Sequence, residues 1–234
     1  MLPQGAEKRL YVRQMFDNIA GRYDVLNTIL SVGLDRGWRR RCVEALELAP
    51  GSLVLDVACG TGGLCAELER QGFRAAGLDL SRGMLARARA STREPRALML
   101  ADALANPVRD GSFDGAVSGF ALRNVTDLEA MFSELARVVR PGGRVALLDL
   151  GEPEAPLLRS VHRLWTNHAV VWLGSLLSDA AAYKYLPRSL SYLPQPQQMA
   201  ELLGSKGFVA IEHHLLTAGV SHLYVATRSL DRRP

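Results

Sequence analysis

Two acids and a pair of glycines in the N-terminal half of the chain carry its most specific chemistry. The run Leu53-Val-Leu-Asp-Val-Ala-Cys-Gly-Thr-Gly62 is an apolar strand that holds one acid, Asp56, and passes through Ala58 into Gly60 and Gly62. Glycine tolerates positive φ and has no Cβ, so this turn can bend beneath an adenosine-like group and offer N–H groups at the start of the next helix. A dinucleotide fingerprint wants a third glycine three residues on, where this chain has Cys65. The second acid, Asp79, closes the run Ala75-Ala-Gly-Leu-Asp-Leu80, at the spacing of a carboxylate that accepts from both ribose hydroxyls. Asp56 would repel a pyrophosphate and suits a cation. Two acids without a phosphate-binding lysine fit a ligand with an amino group, a sulfonium and a free ribose, and S-adenosylmethionine is that ligand. Asp102, before Ala103, ends a third apolar run and can accept from the exocyclic amine of adenine, while Met84 follows Asp79 closely enough to press on the adenine face. The plainer alternative makes Asp56 a helix cap, Asp79 a polar strand end and Met84 core. The acids' occurrence in consecutive strand-turn-helix units favours the cofactor.

The segment Ser118-Gly-Phe-Ala-Leu-Arg-Asn-Val-Thr-Asp127 follows the fourth apolar run. Arg123 could stabilise a developing phenolate, and Asn124 could orient an oxygen by donating and accepting at once. Asp127 fits a helix cap better, and Asp114 a structural place at a strand start. Methyl transfer from a sulfonium needs no metal, because catalysis consists of alignment, exclusion of water and electron supply from the acceptor. A carbon acceptor also asks for a proton acceptor. Tyr23, Asp24, His162 and His168 are candidates, with packing the commoner role for His168.

The elements that must position these residues alternate. Apolar positions at helical spacing run from Tyr11 to Leu30, with Gly21 a stop, and a second helix is expected from Leu34 to Leu48. Strand-like runs follow at Leu53–Ala58, Ala75–Leu80, Ala97–Ala101, Phe113–Phe120 and Arg144–Leu150, with helical patterns between them and Pro141-Gly-Gly143 as a turn. Such alternation predicts an α/β fold whose parallel sheet is covered on both faces. Phe208–Leu216 and Ser221–Thr227 are too close to cross over, so they form an antiparallel hairpin. The expectation is one Rossmann-like domain over 1–234 with a seven-stranded sheet whose last strand is antiparallel. Residues 1–50 are a helical addition, 51–150 the cofactor core, 151–207 a helical insert and 208–228 the hairpin. The insert carries Trp165 and Trp172 and is expected to roof a large apolar acceptor.

Composition narrows the class. With 234 residues and 48% hydrophobic content the chain can bury a substantial core. No apolar leader opens it, and its three cysteines make no paired framework, so a reducing cytoplasmic setting is expected. Arg36, Arg39, Arg40 and Arg41 beside Trp38 could rest on anionic lipid at the inner face of a membrane, meet RNA, or simply be solvated. No stacking set accompanies them, so nucleic acid is not expected. No stretch is apolar for long enough to span a bilayer, and nothing in the pattern sets an oligomeric state.

Three blocks give the chain a resemblance to the quinone-biosynthesis C-methyltransferases, which methylate demethylmenaquinol and the corresponding polyprenyl benzoquinol. They are Phe16-Asp-Asn-Ile-Ala-Gly-Arg-Tyr-Asp-Val-Leu-Asn27 with Trp38-Arg39; Gly119-Phe-Ala-Leu-Arg-Asn-Val-Thr-Asp127 with Arg137-Val-Val-Arg-Pro-Gly-Gly143; and Tyr183-Lys-Tyr-Leu-Pro-Arg-Ser189 with Leu216-Thr-Ala-Gly219. The resemblance implies a class I S-adenosylmethionine-dependent methyltransferase fold, cofactor contacts at Asp79 and around Asp102 and Ala103, and a lipophilic quinol acceptor met by Arg123 and Asn124. Gly63, where the family commonly has an acid, and the tail Val-Ser-His-Leu-Tyr after Gly219 depart from it. The acceptor is expected to be a polyprenyl naphthoquinol, with a benzoquinol, another phenol methylated on O or N, and a noncatalytic cofactor-binding role as alternatives.

Overall fold

A computed structural model describes residues 5–91, 97–153 and 192–231, with residues 155, 156, 159, 160, 164 and 189 described singly. Three helices come first, α1 (Gly5–Ile19), α2 (Tyr23–Leu30) and α3 (Asp35–Glu44). The sheet-forming part runs β1 (Leu53–Val57), α4 (Gly63–Arg70), β2 (Arg74–Asp79), α5 (Arg82–Ala90), β3 (Ala97–Leu100), β4 (Phe113–Gly119), α6 (Leu128–Val138), β5 (Val139–Leu150), α7 (Pro196–Ser205), β6 (Phe208–Leu216) and β7 (Ser221–Arg228). A single 3-10 turn, Leu122–Asn124, links β4 to α6.

The seven strands form one sheet in the order β3-β2-β1-β4-β5-β7-β6. β1 pairs in parallel with β2 and β4, and β4 with β5. β7 is antiparallel to both neighbours, β5 and β6. The short Thr217–Gly219 connection forces this, because it can reverse the chain but cannot carry it across the sheet.

Helices cover both faces. On one, Met131, Phe132 and Leu135 of α6 and Met199 and Leu203 of α7 join Leu55, Val57, Leu78, Val145, Leu147 and Tyr224 in one cluster. On the other, Trp38, Cys42, Val43 and Leu46 join Leu64 and Leu68 of α4 against Val54, Val117, Ala146, Leu148 and Leu223. Each fully buried large side chain contributes roughly 1.5–3 kcal/mol to folding. Caps set the helix starts: the Asp127 side chain accepts from Ala130 N at 2.9 Å, and Ser81 Oγ from Met84 N at 3.1 Å.

Some boundaries differ from the sequence expectation. The stretch from Tyr11 to Leu30 stops around Gly21 as expected and resumes as a separate helix, but the first helix begins earlier, at Gly5. The third helix ends at Glu44 rather than Leu48, and Glu47 takes a φ of +51°, which no helix continues through. Pro141-Gly142-Gly143 falls within β5 rather than before it. There the register with β4 shifts between Phe113 and Gly115, and a Cβ on Gly143 would lie 2.5 Å from the Asp114 carbonyl oxygen, so the bulged chain passes where only glycine fits. Trp165, Trp172, His162, His168 and residues 183–188 of the third sequence block lie outside the described residues.

Candidate active site

Strand order reverses between β1 and β4, and the carboxyl ends of β1, β2 and β4 open there onto a cleft, the usual binding place of an open α/β sheet. The cleft, with the solvent at its open mouth included, spans about 810 Å³. Its floor is backbone under tension. Gly60 and Gly62 take φ of +55° and +85°, and the non-glycine residues Ala58 and Phe120 take +58° and +60°. Such conformations cost an L-residue roughly 1–2 kcal/mol and gather where a site over-determines them. A Cβ on Gly60 would meet nothing within 4 Å, so the glycine leaves space on the cleft side.

Asp79 ends β2 and is the hub of the cofactor half. Its Oδ2 accepts from Gly60 N at 2.8 Å and its Oδ1 from Ser81 N at 2.8 Å, so one carboxylate fastens the glycine turn to the start of α5. Burial pushes its pKa up, and the N–H groups of Ser81 and Gly60 pull the other way. Gly77 lets β2 tuck beneath the turn, because a Cβ there would lie 2.8 Å from Cys59 Sγ and 3.0 Å from Leu98 Cδ2. Leu80, Met84, Asp102 and Ala103 line the same half. Asp102 accepts from Leu104 N at 3.0 Å and pairs with Arg9 at 2.7 Å.

The other half is built by the N-terminal helices and the loop after β4. Val12 and Phe16 of α1, Tyr23 of α2, and Phe120, Asn124 and Val125 line it. Phe16 and Tyr23 meet edge to face with ring centroids 5.8 Å apart. Three ties hold the helices over the cleft. Asp17 Oδ1 accepts from Ser81 Oγ at 2.5 Å and Gly83 N at 2.9 Å, Thr61 Oγ1 donates to Asp24 Oδ1 at 2.6 Å, and buried Lys8 donates to the Val125 carbonyl at 2.8 Å. Lys8 also lies 3.6 Å over the Tyr192 ring, and burial lowers its pKa to about 8.

Of the residues expected from sequence, Tyr23, Ala58, Gly60, Asp79, Leu80, Met84, Asp102, Ala103 and Asn124 are brought together around the cleft. Three are not among its lining residues. Gly62 is the N-terminal cap of α4, one step behind the turn. Asp56 is 1% exposed and turned into the core, where Cys65 Sγ lies 3.3 Å from its Oδ2 and burial raises its pKa to about 7. Arg123 is buried and ion-paired with Asp149, whose Oδ2 accepts from Arg123 N at 3.2 Å. The pair anchors the 3-10 turn that presents Asn124, so Arg123 is a strut behind the wall rather than part of its surface. Sequence reasoning passed over Arg9, Val12, Arg13 and Phe16 as lining residues. Val12 and Phe16, four apart, carried only the ordinary signal of a helix face that packs. Trp38, expected beside a basic surface, is buried, and its Nε1 donates to Thr217 Oγ1 at 2.8 Å.

S-adenosylmethionine fits the cofactor half: two carboxylates stand at its adenosine end, Gly60 gives clearance for a ribose, and Met84 supplies an apolar face. Among the described residues no group of three or more His, Cys, Asp or Glu could hold a metal ion.

Residues 4–228 match the model of the ubiE/COQ5 methyltransferase family. A demethylmenaquinone methyltransferase of Desulfitobacterium hafniense is 38% identical over 226 residues, covering 92% of this chain and 89% of the relative. A ubiquinone/menaquinone biosynthesis C-methyltransferase, UbiE, of Syntrophotalea carbinolica is 38% identical over 223 residues, covering 93% and 94%. Among solved structures, an S-adenosylmethionine-dependent methyltransferase from Thermotoga maritima superposes with a TM-score of 0.66 at 16% identity, covering 93% of this chain and all of that one, which is a likeness of fold.

Proposed function

We propose, from the premise that this chain belongs to the ubiE/COQ5 methyltransferase family, that it transfers the methyl group of S-adenosylmethionine to a ring carbon of a polyprenyl naphthoquinol, converting a demethylmenaquinol to the menaquinol. One observation carries the reading: a single cleft sets the carboxylates Asp79 and Asp102 against an apolar, aromatic wall of Val12, Phe16, Tyr23 and Phe120 that also holds the amide of Asn124. The first set suits adenosine, and the second suits a flat apolar ring with one oxygen to place.

When bound, the cofactor supplies an electrophilic methyl on a sulfonium, which leaves without a Lewis acid. Asp79 and Asp102 would hold its hydroxyls and amine, and Gly60 would leave room for its ribose. Phe16 and Tyr23, in edge-to-face contact, would give the quinol ring an apolar wall that excludes water. Asn124 orients the ring oxygen whose deprotonation pushes electron density onto the carbon. The ring hydroxyl's proton, and after transfer the proton lost from the methylated ring carbon, would pass by way of the Tyr23 hydroxyl to solvent water at the mouth of the cleft. Arg123 acts through the Asn124 turn as a positioning residue. The acceptor's tail leads toward a membrane, so the protein works in the reducing interior of the cell at a lipid surface.

Incubation with methyl-labelled cofactor and reduced demethylmenaquinol, followed by mass analysis of the product, tests this; one methyl gained on the naphthoquinol ring is expected. The Syntrophotalea relative carries both quinones in its name, so the demethylated benzoquinol belongs in a parallel tube. Faster turnover of that substrate would move the assignment to ubiquinone synthesis, and equal turnover of tail-free hydroquinones would remove the lipid.

A further inference from the structure

Ten large apolar side chains stand exposed among the described residues, and four of them fall in one short stretch: Val25 (62%), Ile29 (36%), Val32 (74%) and Leu34 (44%). Scattered singly, exposed hydrophobes need no explanation, but a cluster marks a contact surface. Val25 and Ile29 are one turn apart on α2 and share its outer face, away from Leu26, which packs inward at 4% exposure. Val32 sits in the following turn at φ +53°, where a β-branched residue is strained and glycine or asparagine would fit freely. Folding alone does not ask for an exposed valine there.

The charges on the α3 side of the patch are mostly basic, while Asp24 stands exposed beside Val25. Arg36 is exposed, and Arg40, one turn further along α3, keeps 62% of its side chain in solvent with Glu44 3.8 Å away, a loose pair. The acids nearest the patch are engaged: Asp24 accepts from Thr61, and buried Asp35 pairs with Arg39 at 2.7 Å. The cleft-lining Tyr23 lies on the same helix as Val25 and Ile29.

We propose that α2 and the turn after it dock on an anionic lipid bilayer, with Val25, Ile29 and Val32 entering the boundary between headgroups and acyl chains and Arg36 and Arg40 resting on lipid phosphates. The docking sets against the lipid the outer face of the helix whose inner face carries Tyr23 into the cleft. Its purpose, loading of a membrane-borne quinol, rests on the function proposed above. Trp38 and Arg39 take no part, being committed to Thr217 and Asp35.

Flotation of the full chain with vesicles of phosphatidylcholine, with and without phosphatidylglycerol, tests the surface. Binding to the anionic vesicles that weakens with salt is expected, and the Val25→Asp/Val32→Asp variant should lower that partition by at least about tenfold. Arg36→Glu should lower it less and remove most of the salt dependence. The same variants should melt with the parent and methylate a short-tailed quinol in solution at the parental rate, while losing activity on long-tailed quinol held in vesicles. Equal partition of parent and Val25→Asp/Val32→Asp protein, or no partition of the parent, overturns the proposal. So does a parent dimer in sedimentation that the double substitution splits, since the patch would then face a second copy. Vesicle binding that the variants abolish, together with no methylation of any quinol, would sustain the surface and refute the proposed function instead.

Discussion

The two halves of the cleft are made differently. The cofactor half is mostly backbone: a glycine turn, the left-handed Ala58 and N–H groups gathered by one carboxylate, all within a few residues of the ends of neighbouring parallel strands. The acceptor half is mostly side chain, brought from α1 and α2, where Val12, Phe16 and Tyr23 stand thirty or more residues before the first strand, and from the loop after β4, and clasped by Asp17, Asp24 and Lys8. A backbone-built half has little freedom to change ligand while the sheet persists. A side-chain half can be remodelled without touching the sheet, so specificity resides there.

The strongest challenge to this contrast is to remove the strut of the acceptor wall. Asp149→Ala leaves the buried Arg123 charge without its partner, which costs about 3–5 kcal/mol, and a large drop in melting temperature is expected. Replacing both residues by apolar ones of similar size should recover most of that stability without restoring the rate. If the double replacement restored the rate, Asn124 would not depend on the strut.

Asp56 tests whether the core beneath the cofactor half is tuned for stability. Burial raises its carboxyl from 3.8 to about 7, so below pH 4 both folded and unfolded forms are protonated and no cost arises. Between pH 4 and pH 7 the unfolded chain ionises first, and the folded state loses stability as pH rises. Asp56→Asn should therefore gain over the parent as pH goes from 5 to 8, by on the order of 3 kcal/mol, measured by denaturant titration at both values. A constant difference would mean that Asp56 is ionised at both.

Asp79→Ala should weaken cofactor binding by about one to two orders of magnitude through lost charge-assisted hydrogen bonds, with quinol affinity changed much less. Calorimetry with each ligand alone would show it, and equal losses for both would erase the division between the halves. Asp17→Ala should do the reverse on a smaller scale. Freeing the C-terminal end of α1 from Ser81 and Gly83 should raise KM for quinol several-fold, about 1 kcal/mol, while the cofactor constant moves little. The smallest step is along the acceptor's tail, where each methylene removed from burial should cost roughly 0.8 kcal/mol.

The same division explains how much could be read beforehand. The sheet, its terminal hairpin and the meeting of Asp79, Gly60 and Asp102 at one cleft are legible in the sequence because strand, turn and cleft-facing residue are contiguous, and a period of two or of three and a half is a local signal. Asp56 lies off the cleft lining for a geometric reason. Side chains alternate along β1, and its position falls on the α4 face beside Cys65, whereas the cleft opens beyond the strand's end. Arg123 and Asn124 looked like a pair because they are adjacent, yet they divide between core and cleft at a 3-10 turn that no spacing announces. Val12 and Phe16 were invisible as lining residues, since an apolar helix face reads alike whether it meets a sheet or a ligand.

The hydrogen bond from Thr61 to Asp24 has one more consequence. It ties a residue between the two cofactor glycines to the helix that presents Tyr23, so a donor that settles the turn also settles that helix. The two substrates should then bind cooperatively, and reciprocity requires each to tighten the other by the same factor. A methylated product leaving first would slacken the hold on the spent donor, giving the enzyme a built-in order for clearing its cleft.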